Sequence, residues 1–347
     1  MDHGGDLLTY EHHYDGELID FSSNINPLGP PKGLDEILIN SFKSLESYPD
    51  IQYRKLKISI SKYLQCNSKN VLVGNGAVEI INNFIIPANR VIVMTPAFSE
   101  YEKRAIAHGK EVVKLKYNDD FSIDLHKLNT ILKEEDLLIL GNPNNPTGLR
   151  IEKHVLLQIY NLVKNKNAYL LLDEAFYEFA PPDYDSIEIF KRNDYKSLGI
   201  IRAATKFFAL PGIRLGYGCA SSLKVEEISK IELPWSINAL ADIAGQFIFK
   251  DKDYINESKD YIEVQRDFLM DRLRKLNNIK VYETHTNYIL IKLEKWDEDY
   301  LFNHFLKHGI VIRKCSSFKE LGNNHIRIAI KNRENNLKLI NIFKKIK

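Results

Sequence analysis

Apolar positions along this chain follow two rhythms. Between residues 71 and 220 they come as short, nearly unbroken runs: VLVGN (71–75), RVIVMTP (90–96), EVVKLKY (111–117), DLLILGNP (136–143), AYLLLDEA (168–175), SLGIIRA (197–203) and RLGYGCA (214–220). Runs of this length, apolar at successive positions, predict strands covered on both faces. Segments with a helical period stand between many of them, among them VEIINNFII (78–86), AFSEYEKRAIAHG (97–109) and EKHVLLQIYNLVKN (152–165). Strand–helix–strand repetition predicts an α/β fold with a mainly parallel seven-stranded sheet. After residue 235 the rhythm changes. Two long helical stretches (237–250 and 253–276) precede KVYETHTNYILIKL (280–293), which reads as two strands. A helix (297–308), GIVIRKC (309–315), HIRIAI (325–330) and a last helix follow, as in a smaller α+β unit. The division expected is an N-terminal arm (1–30), a large domain (31–235) and a small C-terminal domain (236–347).

Composition narrows the function classes. The 347 residues carry 48 basic and 46 acidic side chains, a net of +2. That balance predicts no broad field for nucleic acid or a membrane surface. Cys66, Cys219 and Cys315 lie far apart and form no CxxC motif, so reduced thiols in the cytoplasm and no bound metal are expected. The start, MDHGGDLLTY, lacks the apolar core of a signal peptide. No apolar run approaches the ~20 residues of a membrane span.

Several unusual peptides fall at the predicted carboxyl ends of strands, where open α/β sheets bind ligands. GNGAVE (74–79) opens a helix and can offer free N–H groups to a phosphate, although Glu79 spoils a dinucleotide fingerprint and a plain tight turn reads as well. Phe98 in TPAFSEY (95–101) can stack on a flat ring or fill core. GNPNNPTG (141–148) is a rigid irregular loop able to aim an amide, or a capped turn. Asp173 ends an apolar strand, where a carboxylate needs a cation: a ring nitrogen, or an ordinary salt-bridge partner. In RAATKFFALPGIRLGYG (202–218), Lys206 is the lone lysine among small and apolar residues. A confined amine has a lowered pKa and can condense with a carbonyl, whereas a snorkelling surface lysine is the bland alternative. Arg214 can hold a phosphate. Together these describe a site for pyridoxal 5′-phosphate (PLP).

The set GNG with Glu79, NPNNPTG, DEAF and TKFFALPGIRLGYG resembles the fold-type I PLP-dependent enzymes of the aspartate aminotransferase superfamily, over nearly the whole chain. The resemblance implies the PLP-dependent transferase fold and PLP as cofactor. Two branches compete, histidinol-phosphate aminotransferases and the threonine-phosphate decarboxylases of cobalamin biosynthesis. HGGD (3–6), DFSSNINPLGPP (20–31), SYPD (47–50), DEAFYEF (173–179) and PWSINALADIAG (234–245) resemble the decarboxylases more closely. Phe176 stands where the aminotransferase branch usually carries tyrosine.

By that resemblance Lys206 is the Schiff-base lysine, Asp173 pairs with the pyridine N–H, Asn145 binds the ring hydroxyl and Phe98 stacks on the ring. Gly76, Ala77 and Val78 through their backbone, with Thr205 and Arg214, would bind the cofactor phosphate. Tyr48 would reach it from a second subunit of a homodimer with shared active sites. Arg327, Arg313, Asn24, Asn145 and Asn287 would hold the acidic groups of a small phosphorylated amino acid. His3 and Gly4 would fold over the site as a lid. Ala203 replaces a serine that helps bind phosphate in many relatives. The implied reaction is decarboxylation of L-threonine O-3-phosphate to (R)-1-amino-2-propanol O-2-phosphate. Transamination of histidinol phosphate is the alternative. A non-catalytic PLP-binding module is a third, disfavoured because no room is expected for an appended DNA-binding segment.

Overall fold

A computed structural model of the chain describes residues 4–346. All seven apolar runs are strands. After a short β1 (Ile19–Asp20) come β2 (Val71–Asn75), β3 (Arg90–Thr95), β4 (Glu111–Lys116), β5 (Asp136–Gly141), β6 (Tyr169–Asp173), β7 (Leu198–Ala203) and β8 (Leu215–Ala220). They form one sheet in the order β2-β8-β7-β6-β5-β3-β4. Only β8 runs against its neighbours, so the carboxyl ends of the other six share one edge with the start of β8. Strands β3 and β5 to β8 are almost wholly buried, as unbroken apolar runs require when helices cover both faces.

The second unit is an antiparallel sheet of β9 (Ile279–Val281), β10 (Tyr288–Leu293), β12 (Arg313–Lys314) and β13 (His325–Ala329), in the order β12-β13-β10-β9. The 22-residue helix Lys252–Leu273 and the helix Arg333–Phe343 accompany it. The fold is the expected one: a large, mostly parallel sheet with a smaller antiparallel unit.

The segment 309–315 is not one strand. β11 (Ile310–Val311) pairs in parallel with β1, whereas β12 pairs with β13. Periodicity cannot see this break, because both halves are apolar and buried while their backbones serve different partners. The N-terminal arm is likewise tied down. Phe21 N–H donates to Val311 O, Phe21 O accepts from Ala329 N–H, and Asn26 N–H donates to Lys206 O. The stretch 20–26 therefore straps the small sheet to the peptide that carries Lys206.

Behind the strand ends lies a buried ionic network. Arg202 of β7 donates to Glu174 at 2.9 Å and to Asp185 at 2.8 Å, and its guanidinium lies 3.4 Å from the Tyr177 ring centroid. Ser186 and Asn142 also donate to Glu174. Glu174 follows Asp173, and Arg202 precedes Ala203, so this network ties together the ends of β6 and β7. Removing one partner of a buried pair strands the other charge, at about 3–5 kcal/mol. Arg202→Met is expected to lower the unfolding free energy by that order at pH 7, read from urea denaturation.

Candidate active site

At the shared strand edge a cavity of about 360 Å³ opens between the large sheet and the β12–β13 edge of the small one. Among the residues expected at the site, Gly4, Asn24, Ala77, Val78, Phe98, Asn145, Asp173, Thr205, Lys206, Arg214, Arg313 and Arg327 all line it. They come from segments more than 300 positions apart, brought to one place because β2, β5, β6 and β7 end together.

Asp173 closes β6 and is fully buried. Burial pushes its carboxyl up, against hydrogen bonds from the Tyr101 hydroxyl and the Ala175 N–H that favour the charged form. No lysine or arginine pairs with it among the described residues. Lys206 sits in the short helix Ala204–Phe207 that follows β7. Burial, then Arg327 and Arg214, hold its amine down at about 8, so a neutral nucleophile is available near neutral pH.

The turn after β2 is built for close approach. Gly76 has φ +75°, and a Cβ there would stand 2.4 Å from Arg214 Nη2; one at Gly216 would stand 2.5 Å from Ala77 N. Arg214 itself holds φ +62°, which aims its side chain across the turn. One expectation needs correction. Gly76 does not line the cavity, and its N–H is taken by Arg214 O at 2.9 Å. The N–H groups left for an anion are those of Ala77 and Val78, in the first turn of the helix Ala77–Ile85. Glu79 caps the same turn by accepting from Asn75 N–H.

On the opposite wall, Arg313 and Arg327 face each other across the β12–β13 pair, which puts both side chains on one face of the sheet. Both are buried, at 3% and 6% exposure. Arg313 donates to Ser317 Oγ at 2.7 Å and lies over Phe318. Arg327 donates to Asn145 Oδ1 and to Ser22 O, and burial lowers its pKa to about 10. Asn145 thus joins the cofactor side of the cavity to its arginine side.

The remaining candidates lie elsewhere. Asn287 does not reach the cavity; its amide is buried and donates to Asn24 O at 3.1 Å, so it buttresses Asn24. Tyr48 is 80% exposed and packs on Trp235, outside the cavity. His3 lies outside the described residues. Gly4 lines the cavity, and the next residue, Gly5, donates to Ser22 Oγ at 2.8 Å. Sequence reasoning missed Tyr101, Ser22 and Ser317. Tyr101 had a readable signal: it lies three residues after Phe98, and the Tyr101 N–H closes the turn by donating to Phe98 O at 3.2 Å.

The profile of class I and II aminotransferases matches residues 16–343. The chain belongs to this family. A Caldanaerobacter subterraneus protein provisionally named threonine-phosphate decarboxylase is 39% identical over 356 residues, spanning 98% of this chain and 95% of that one. The histidinol-phosphate aminotransferase of Clostridium novyi is 32% identical over 347 residues, with 98% and 94% covered. The crystal structure of the histidinol-phosphate aminotransferase from Clostridium acetobutylicum matches with a TM-score of 0.90 at 37% identity, covering 94% of this chain and 98% of that one.

Enzymes of this family use PLP, and the cavity fits it. A buried carboxylate without a cation suits a protonated ring nitrogen, the backbone around Ala77 and Val78 with Arg214 suits a phosphate, and the Lys206 amine suits an aldehyde. The pKa of Lys206 gives a direct test. Its neutral form is the nucleophile, so borohydride-trapped capture of PLP should rise with pH through a midpoint near 8, where an ordinary lysine near 10.4 would place it about two units higher. Arg327→Gln removes a repelling charge and should move that midpoint upward. A wild-type midpoint near 10 would contradict the electrostatic picture.

Proposed function

We propose that this protein is a PLP-dependent decarboxylase acting on L-threonine O-3-phosphate, with CO2 and (R)-1-amino-2-propanol O-2-phosphate as products. The observation that carries the reading is the pair of buried guanidiniums in register on one cavity. Paired guanidiniums hold carboxylate and phosphate oxygens by charge-assisted hydrogen bonds. A small amino acid bearing a carboxylate and a phosphate supplies two. Histidinol phosphate carries a phosphate and no carboxylate. The 39% identity to the Caldanaerobacter protein and Phe176 in place of tyrosine support the same choice. The likeness to the Clostridium acetobutylicum structure favours the second reading, a histidinol-phosphate aminotransferase, whose amino-donor substrate would also use two arginines.

In this reading Lys206 would hold the cofactor, Asp173 would keep its ring nitrogen protonated by charge pairing, Phe98 would cover its face, and Asn145 would bind its hydroxyl. Ala77, Val78, Thr205 and Arg214 hold its phosphate. Bound there, PLP would supply an electron-withdrawing ring as the electron sink for chemistry at Cα. Arg313 and Arg327 fix the acidic groups and with them the torsion about Cα, which selects the bond that breaks. Lys206, titrating near 8, is suited to returning a proton to Cα. Gly4 and Ser22 close the cavity on the substrate side. Purified, PLP-loaded protein given O-phospho-L-threonine should release CO2 and aminopropanol phosphate without any keto acid. Turnover of histidinol phosphate only with 2-oxoglutarate would overturn the proposal in favour of the aminotransferase.

The reading includes a cytoplasmic homodimer with shared sites. Ile39, Phe42, Leu45, Tyr48, Leu233 and Trp235 are exposed apolar or aromatic side chains, and such a concentration favours a protein–protein contact. Tyr48→Ala and Lys206→Ala should each impair activity. Co-refolding the two should regain activity, up to about a quarter of wild-type sites for random pairing of a two-fold dimer. No regain would sink the sharing of residues between subunits.

A further inference from the structure

Tyr101 makes two contacts at the cavity that the reaction scheme above does not use. Its hydroxyl donates to Asp173 Oδ2 at 2.7 Å. Its ring stands edge-on to Phe98, with centroids 5.6 Å apart and planes at 86°. The side chain is buried in the first turn of the helix Glu100–Ala107. We propose that Tyr101 is a positioning residue for PLP, holding the Asp173 carboxylate ionised and aimed, and the Phe98 ring upright, before the cofactor arrives. The inference rests on the PLP reading of the cavity.

Burial alone would favour a neutral Asp173, which pairs poorly with a cationic ring. With no lysine or arginine paired to it among the described residues, its charge depends on two donors: Tyr101, and the Ala175 N–H at 3.1 Å on Oδ1. The backbone donor is fixed by the chain, so the tyrosine is the adjustable one. Hydrogen bonds to a charged group favour that charge and are stronger than neutral ones. The same residue orients Phe98 by an edge-to-face contact, so one ring sets both the nitrogen end and one face of the cofactor's place. Among the described residues, the other titratable and charged groups near this pair are Tyr288 from β10, Tyr117 beyond the end of β4 next to Tyr101, and, lining the same cavity, Lys206, Arg214, Arg313 and Arg327. Burial pushes the tyrosines up, and Lys206 lies near 8. Protonation of Lys206 lowers capture below pH 8 in every variant, so it is the shift that Tyr101→Phe adds, and that Asp173→Asn abolishes, that reports Asp173.

The test is PLP binding to the apoprotein, followed by absorbance from pH 4.5 to 8, for wild type, Tyr101→Phe, Asp173→Asn and the double variant. Tyr101→Phe should melt near wild type, bind PLP about tenfold more weakly at neutral pH, and lose affinity on acidification at a higher pH than wild type. Its carboxylate, robbed of a donor, protonates sooner. In the Asp173→Asn background the same change should shift no acid limb. Difluorotyrosine at position 101 keeps the ring and donates more strongly, so it should move the limb to lower pH; this arm stands even if Tyr101→Phe folds poorly. An acid limb that stays put in Tyr101→Phe or with difluorotyrosine overturns the inference. A shift that persists without Asp173 does so too. If wild-type protein binds no PLP, the cofactor reading falls and this inference with it.

Discussion

Everything at the active site is arranged around one costly charge, the Asp173 carboxylate buried at the end of β6. A carboxylate in such a place either finds a partner or takes up a proton. Here the surroundings stop short of neutralising it. Two neutral donors oppose the burial, and the side open to the cavity is left for a group that the protein does not itself provide. Lys206 is the complementary case, an amine kept short of full protonation by burial and by two arginines. The two groups are offset from their ordinary states in opposite directions, which is the condition under which a carboxylate and an amine can share a cavity without merely forming a salt bridge.

Holding such groups requires a stiff frame, and the sheet supplies it. Parallel strands bring their carboxyl ends to one edge, and the Arg202–Glu174–Asp185 network binds the ends of β6 and β7 immediately behind the reactive residues. Its satisfied charges sit where a flexible turn would otherwise let Asp173 and Lys206 drift. On the other side of the cavity, the strap 20–26 fastens the small sheet to the Lys206 peptide, so the arginines are registered against the lysine by backbone hydrogen bonds as well as by packing.

Much of this was legible in the chain. The seven apolar runs became seven strands, because a run buried on both faces leaves little freedom for any other element. Asp173 and Lys206 announced themselves as charges among apolar residues, and Arg214 as a cation close by in sequence. What could not be read was how backbone groups are partnered. Gly76 offers an N–H in sequence, but the fold gives it to Arg214 O, leaving the N–H groups of Ala77 and Val78 as the candidates for an anion. Asn287 carries a suitable side chain, yet its position behind Asn24 makes it a support. The break between β11 and β12 leaves no trace in hydrophobicity, since both halves are buried against different sheets. Each of these depends on a partner distant in sequence, which no local pattern encodes.

The choice between losing CO2 and losing a proton lies outside the features shared across the family. Lysine, aspartate and phosphate cradle define where a cofactor lies, and they do so for either reaction. What differs is the torsion about Cα, and that torsion is set by where the substrate's anionic groups are held. In this chain Arg313 and Arg327 sit opposite each other in an antiparallel pair, so their spacing is fixed by strand geometry and not by loop conformation. Arg327 is further fixed by Asn145, which faces the cofactor side, and by the carbonyl of Ser22, whose hydroxyl holds the N-terminal segment at Gly5. If these arginines hold the substrate as proposed, a shift in any one of these contacts would rotate its carboxylate relative to the ring. In the proposed reading, reaction choice would follow from the small sheet's register and its strap, which fix the two arginines relative to the Lys206 peptide.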